Sequence, residues 1–253
     1  MLGHSYPGCQ TAATGLRTRL TAMASANHRS GTENRLRNPK ILCLHGFRTS
    51  GRILQALIGK WPDTVLRDLD LDFLDGPFPA TGKSDVERFF DPRITSEYRN
   101  FEECLDYIED YMIKNGPFDG LLGFSQGAFL SAAIPGMQEK GTALTKVPKV
   151  KFLVIISGAK IPGLVFGQPK AAVGAFSSPV RCPSLHFIGE RDFLKTEGEV
   201  LAKSFVEPVV IHHTSGHTIP KLETKAEETV VLSFFQRIRQ ILSDESCSAR
   251  SLM

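Results

Sequence analysis

The chain has little of what disulfide scaffolds, metal centres, membrane spans and nucleic-acid binders are made from. Its five cysteines, Cys9, Cys43, Cys104, Cys182 and Cys247, are odd in number, scattered, and never spaced as C-x-x-C. That pattern argues against a disulfide framework and a zinc site, and it fits a reducing compartment. No apolar run approaches the length that crosses a bilayer, and the N-terminus lacks the apolar segment of a secretory signal. Charge is also scarce: the formal net charge is +3 over 253 residues. Part of it sits in residues 1–38, where Arg17, Arg19, Arg29, Arg35 and Arg37 face one acid, Glu33. The rest is close to neutral and shows no basic face interleaved with aromatics, which excludes a nucleic-acid partner.

Residues 1–38 are rich in Ser, Thr, Ala, Gly, Asn and Arg and have no apolar periodicity. They read as a disordered arm or as a transit peptide, with Met23 an alternative start. Residues 39–243 read as the folded domain and 244–253 as a flexible tail. Apolar runs at Ile41-Leu42-Cys43-Leu44, Leu121-Leu122, 152–156, 185–188 and 209–212 read as strands, with a weaker strand at 65–71 ending in the turn Asp75-Gly76-Pro77. Helical spacing marks residues 100–114, 128–138 and 227–242. Continuous apolar strands alternating with helices predict an α/β fold, a doubly wound and mostly parallel sheet covered on both faces.

Between one predicted strand and the next helix lies Gly123-Phe124-Ser125-Gln126-Gly127, a G-x-S-x-G pattern. A turn that exposes a nucleophilic serine there is so sharp that side chains two residues to either side would collide, and glycine removes the collision. The helix that follows aims its N-terminus at the site and favours negative charge. Catalytic partners are then expected at the ends of later strands, in the order acid, then histidine. Asp192 follows the strand that breaks at Gly189, and His217 sits in the loop Thr214-Ser215-Gly216-His217. Ser125 is read as nucleophile, His217 as base and Asp192 as the acid that orients it; Glu190, two residues earlier, is the competing acid. His45, His186, His212 and His213 read as structural. The backbone N–H groups of Phe47 and Gln126 are the expected oxyanion donors.

The motifs together, Ile41-Leu42-Cys43-Leu44-His45-Gly46-Phe47, Phe73-Leu74-Asp75-Gly76-Pro77, the serine pentapeptide, Gly189-Glu190-Arg191-Asp192 and Gly216-His217, resemble the serine hydrolase family written FSH. That family includes fungal hydrolases, plant esterases and an animal tumour-suppressor-candidate esterase, and the resemblance spans about Lys40 to Ile241. It implies the α/β-hydrolase fold and ester hydrolysis through an acyl-enzyme, with neither metal nor organic cofactor, and it carries the family's triad onto Ser125, Asp192 and His217. Two departures stand out. Ser215-Gly216-His217 replaces Gly-Gly-His, and Phe89-Phe90-Asp91-Pro92 replaces a Pro- and Trp-rich stretch of plant relatives. The second bears on substrate range.

Phe78, Phe89, Phe90 and Phe166 fall in predicted loops near the sheet's carboxyl edge, where open α/β folds build pockets. They are the candidates for an acyl-binding wall, and they point to medium- to long-chain acyl esters. The rival readings are an acyl thioesterase with the same triad and a hydrolase-fold protein that binds a small molecule, since a fold does not fix function. The sequence leaves the oligomeric state open. The expected location is cytoplasmic, with an organelle addressed by the arm, or a peroxisome addressed by Ser251-Leu252-Met253, as alternatives.

Overall fold

A computed structural model describes residues 36–79, 100–161 and 169–250. Six strands run in chain order: β1 (Lys40–Leu44), β2 (Asp70–Leu74), β3 (Gly120–Phe124), β4 (Phe152–Ile156), β5 (Ser184–Gly189) and β6 (Val209–His213). They form one sheet in the order β2-β1-β3-β4-β5-β6, with every pairing parallel. Parallel strands need crossovers: α1 (Gly51–Ile58) and α2 (Asp63–Leu66) lie between β1 and β2, α3 (Phe101–Asn115) between β2 and β3, α4 (Gln126–Lys140) between β3 and β4, and α5 (Lys195–Ala202) between β5 and β6. The described residues between β4 and β5 hold only a single 3-10 turn at Lys170–Ala172, and α6 (Lys225–Arg250) follows β6. The parallel sheet is the one expected from the apolar strands, and the arrangement is the α/β-hydrolase fold that the family resemblance implied.

Strand alternation divides the core into two layers. Leu42, Leu44, Leu121, Leu153 and Ile155 pack under α3, α4 and α5. Ile41, Cys43, Leu122, Val154 and Ile156 pack under α1, α2 and α6. All strands point the same way, so every strand's carboxyl end reaches one edge. β1 connects outward to β2 and back to β3, so the chain reverses its direction across the sheet between β1 and β3. Open sheets form ligand crevices at such a point.

Two sequence expectations are corrected. The strand expected at 65–71 lies at Asp70–Leu74, because Val65 and Leu66 close the short helix α2 that follows Pro62. β2 is an edge strand, paired only with β1, and so it tolerates Asp70 and Asp72. The flexible tail expected from residue 244 is helical through Arg250. The stretch 225–250 contains neither Gly nor Pro to stop the helix, and Gln240 donates to Asp244 one turn on. α1 and α5 were not foreseen. Among the described residues, no disulfide joins Cys43, Cys104, Cys182 or Cys247, and no helix is long and apolar enough to cross a membrane.

Candidate active site

Ser125 follows β3, a central strand, and precedes α4 directly. Its backbone is held at φ 53° and ψ −117°, a region that non-glycine residues rarely occupy. The surroundings fix this turn tightly. The Ser125 N–H donates to the Ile156 carbonyl at 3.0 Å. A Cβ on Gly123 would lie 2.3 Å from the Gly127 oxygen, and one on Gly127 would lie 2.1 Å from the Leu44 oxygen. Both glycines are therefore required by backbone contact, as the sequence pattern implied.

The imidazole of His217 lies between serine and acid. Its Nε2 is 3.0 Å from Ser125 Oγ, and its Nδ1 is 2.9 and 3.1 Å from the two carboxylate oxygens of Asp192. The Asp192 side chain is almost fully buried, and it also accepts from the Leu194 N–H at 2.9 Å. Burial alone would raise the pKa of this carboxyl. Contacts with His217, Ser157 and the Leu194 N–H outweigh that and hold it below its ordinary value, so it stays ionised. Asp192, and not Glu190, is brought to His217. Glu190 is turned to solvent, where Lys195 and His212 pair with it at 2.6 and 3.0 Å.

The remaining histidines are placed by their partners. His186 is buried beside Ser184 and Phe205, and burial pushes its pKa down to about 3. His213 is buried four residues before His217, with neither ring nitrogen hydrogen-bonded, and burial lowers its pKa. His45 ties two loops together: its Nδ1 lies 2.8 Å from the Gly46 carbonyl, and its Nε2 accepts from the Gly76 N–H at 2.9 Å. Asp75 accepts from the Gly51 N–H at 2.7 Å, which fastens the β2 turn to the start of α1. The loop carrying Gly46 and Phe47 is thereby anchored from β2. Gly46 also touches the nucleophile turn, since a Cβ there would sit 3.1 Å from Ser125 Cβ. Gln126 opens α4, where a backbone N–H has no acceptor within the helix.

Two aromatic rings not singled out in the sequence frame His217. Phe193 lies 4.4 Å from its ring centroid and Phe124 lies 5.2 Å away. Phe193 directly follows the acid and is largely exposed, an apolar residue left at a rim. Phe78 is exposed beyond Pro77. Phe89, Phe90 and Phe166 lie outside the described residues. A cavity of about 160 Å³ lies between the β1 and β2 loops and helices α3 and α4, with Gly46 and Gln126 among its lining residues. Among the described residues no group of three or more His, Cys, Asp or Glu side chains could hold a metal ion.

A family described as serine hydrolase (FSH1) matches residues 34–229. The chain belongs to this family. The serine hydrolase is 28% identical over 226 residues to Esterase CG5412 of Drosophila melanogaster, covering 81% of this chain and 77% of that protein. It is equally 28% identical to Esterase OVCA2 of Bos taurus, over 72% of this chain and 89% of the other. A solved esterase of Pyrobaculum calidifontis shares the fold with a TM-score of 0.52 at 16% identity, covering 81% of this chain and 78% of that one.

Proposed function

We propose that this serine hydrolase cleaves carboxylic esters through an acyl-enzyme, with Ser125 as nucleophile, His217 as general base and acid, and Asp192 holding the imidazole. The observation that carries the reading is the unbroken contact from Ser125 Oγ through His217 to the buried Asp192 carboxylate. With Nδ1–H donated to Asp192, the Nε2 lone pair faces the serine and can take its proton. Ser125 Oγ then bonds to the ester carbonyl carbon, and the carbonyl oxygen becomes an oxyanion. The Phe47 and Gln126 N–H groups are assigned to receive it, at the head of α4. Collapse of the intermediate breaks the bond to the alcohol oxygen, which leaves with the proton held on Nε2. Water, deprotonated by the same nitrogen, then attacks the acyl-enzyme, releases the acid and restores Ser125.

The relatives named as esterases agree in substrate class. The exposed apolar surface of Phe193 against His217 and of Phe47 next to Gly46 favours apolar esters with acyl chains of medium length or longer over acetate and over charged peptides. The test is turnover of an aryl ester series by the wild type and by Ser125→Ala. Turnover that vanishes in a folded Ser125→Ala protein supports the reading, and turnover unchanged by the substitution refutes it.

A further inference from the structure

One exposed apolar side chain lies directly against the imidazole of the site. Phe193 is 54% exposed, yet its ring centroid sits 4.4 Å from that of His217, with the two planes tilted by 31°. Leaving a phenyl ring in solvent forgoes the burial that ordinarily stabilises one, so its place against His217 calls for another account. Phe124 also approaches the imidazole, at 5.2 Å and 37°, but it ends β3 and packs against the buried layer beneath α1 and α6.

The backbone around Phe193 is closed on both sides. The Asp192 N–H donates to the Gly189 carbonyl and the Lys195 N–H to the Asp192 carbonyl, each at 3.1 Å, while the Leu194 N–H donates to the Asp192 carboxylate. The same turn holds the His217 loop. The Arg191 N–H donates to the Ser215 carbonyl at 3.2 Å, and Arg191 Nε donates to the Thr214 carbonyl at 2.7 Å. Acid, phenyl ring and imidazole are thus carried on one connected piece of backbone.

Within that piece the imidazole has a contact at each nitrogen, Nδ1 to Asp192 and Nε2 to Ser125. Two such contacts leave a ring free to rock about the line that joins them, and a second ring pressed near its face opposes the rocking. The phenyl face also carries partial negative charge, which favours a cation beside it. At an exposed site such a contact is worth about two- to fivefold.

We infer that Phe193 is a positioning residue for the hydrolysis: its ring, stacked on the imidazole, holds His217 in line between Ser125 and Asp192 and steadies the imidazolium formed in both half-reactions. The inference rests on the acyl-enzyme reading above and deepens it.

The acetyl-enzyme provides the test. Its deacylation needs only His217 and water, with the alcohol gone and a minimal acyl group in place. Acylation by an aryl acetate and the deacylation that follows are timed separately by rapid quench and mass spectrometry of the full-length protein. Phe193→Leu keeps an apolar side chain but no ring, and it slows both steps by about three- to tenfold, the lost ring contact and a freer imidazole acting together. Phe193→Tyr keeps the ring and stays within about twofold of wild type in both steps. Both variants melt with wild type, because the side chain is mostly exposed. Slower acylation or a raised KM with unchanged deacylation means that the ring touches substrate and not the base, and overturns the inference. So do steps unchanged in Phe193→Leu, or a Phe193→Tyr as slow as Phe193→Leu. Each of these results leaves Ser125-dependent turnover standing. Absence of Ser125-dependent turnover for every ester instead removes the acyl-enzyme reading itself.

Discussion

Replacing the acid by its amide probes the most sharply defined geometry in the site. Both carboxylate oxygens of Asp192 lie within 3.1 Å of His217 Nδ1. In Asp192→Asn, either orientation of the amide therefore presses its NH2 group against that nitrogen. Two donors cannot share the contact, so the imidazole shifts its proton to Nε2 and presents a donor, not a lone pair, to Ser125. The negative charge that would stabilise the imidazolium is lost as well. Comparable triads lose about 10⁴ in kcat on this change, about 5 kcal/mol of transition-state stabilisation, and the same is expected here. The side chain keeps its shape, and the Leu194 N–H can still find the amide oxygen, so the fold should persist by circular dichroism. Glu190→Gln is the matched control. Its carboxylate faces solvent and pairs with Lys195 and His212, so kcat should change by less than about twofold. Steady-state turnover of one aryl ester by the three proteins decides. A folded Asp192→Asn enzyme within tenfold of wild type, or a larger loss in Glu190→Gln, refutes the assignment of the orienting acid.

Other consequences follow from the packing. Gly127→Ala places a methyl group 2.1 Å from the Leu44 carbonyl oxygen and 2.7 Å from that of His45, both backbone atoms that cannot turn aside. Overpacking there should cost about 1–3 kcal/mol in a urea titration and lower kcat by at least tenfold, because the loop bearing Phe47 must move; a variant with wild-type stability and activity counts against the tight turn. His186 contributes a pH dependence of definite sign. Its folded pKa of about 3 lies below the ordinary value of 6.5, so the unfolded chain binds the extra proton. Stability from this group is full above pH 6.5 and is lost as pH falls toward 3, by up to about 1.4 kcal/mol per unit. Urea midpoints between pH 7 and 4.5 should fall less steeply for His186→Phe than for wild type, and equal slopes would contradict its neutral burial.

The strands and the serine turn were legible because local pattern determines them. β1, β3, β4 and β5 are apolar runs with almost no exposed position, and Gly123 and Gly127 mark a backbone crossing that admits no side chain. Asp192 and His217 were legible from chain order, which a parallel sheet converts into proximity at one edge. Asp192 was preferred over Glu190 from the sequence with help from the family resemblance, since two residues in a loop after β5 differ only in which way the chain turns. The cavity was also beyond local pattern. Helical spacing marked residues 100–114, but did not show that Cys104 and Ile108 of α3 meet Leu130 of α4 across an open space. α5 escaped notice because Gly198 interrupts it and its inward face is short, with Gly198, Leu201 and Ala202 buried. α1 carried a readable signal in the Ser50 cap and the spacing of Leu54 and Ile58. The second strand was misplaced because Val65 and Leu66 are apolar for the sake of α2 and its packing near α6.

The central claim is that Ser125 Oγ becomes covalently acylated with His217 as its base. Intact-protein mass spectrometry after brief exposure to a fluorophosphonate, followed by peptide mapping, tests it directly. The account predicts a single stoichiometric adduct on the peptide that contains Ser125, absent in Ser125→Ala and formed at least 10²-fold more slowly in His217→Ala. Labelling of a folded Ser125→Ala protein at the wild-type rate, or an adduct mapped to another residue, would contradict it.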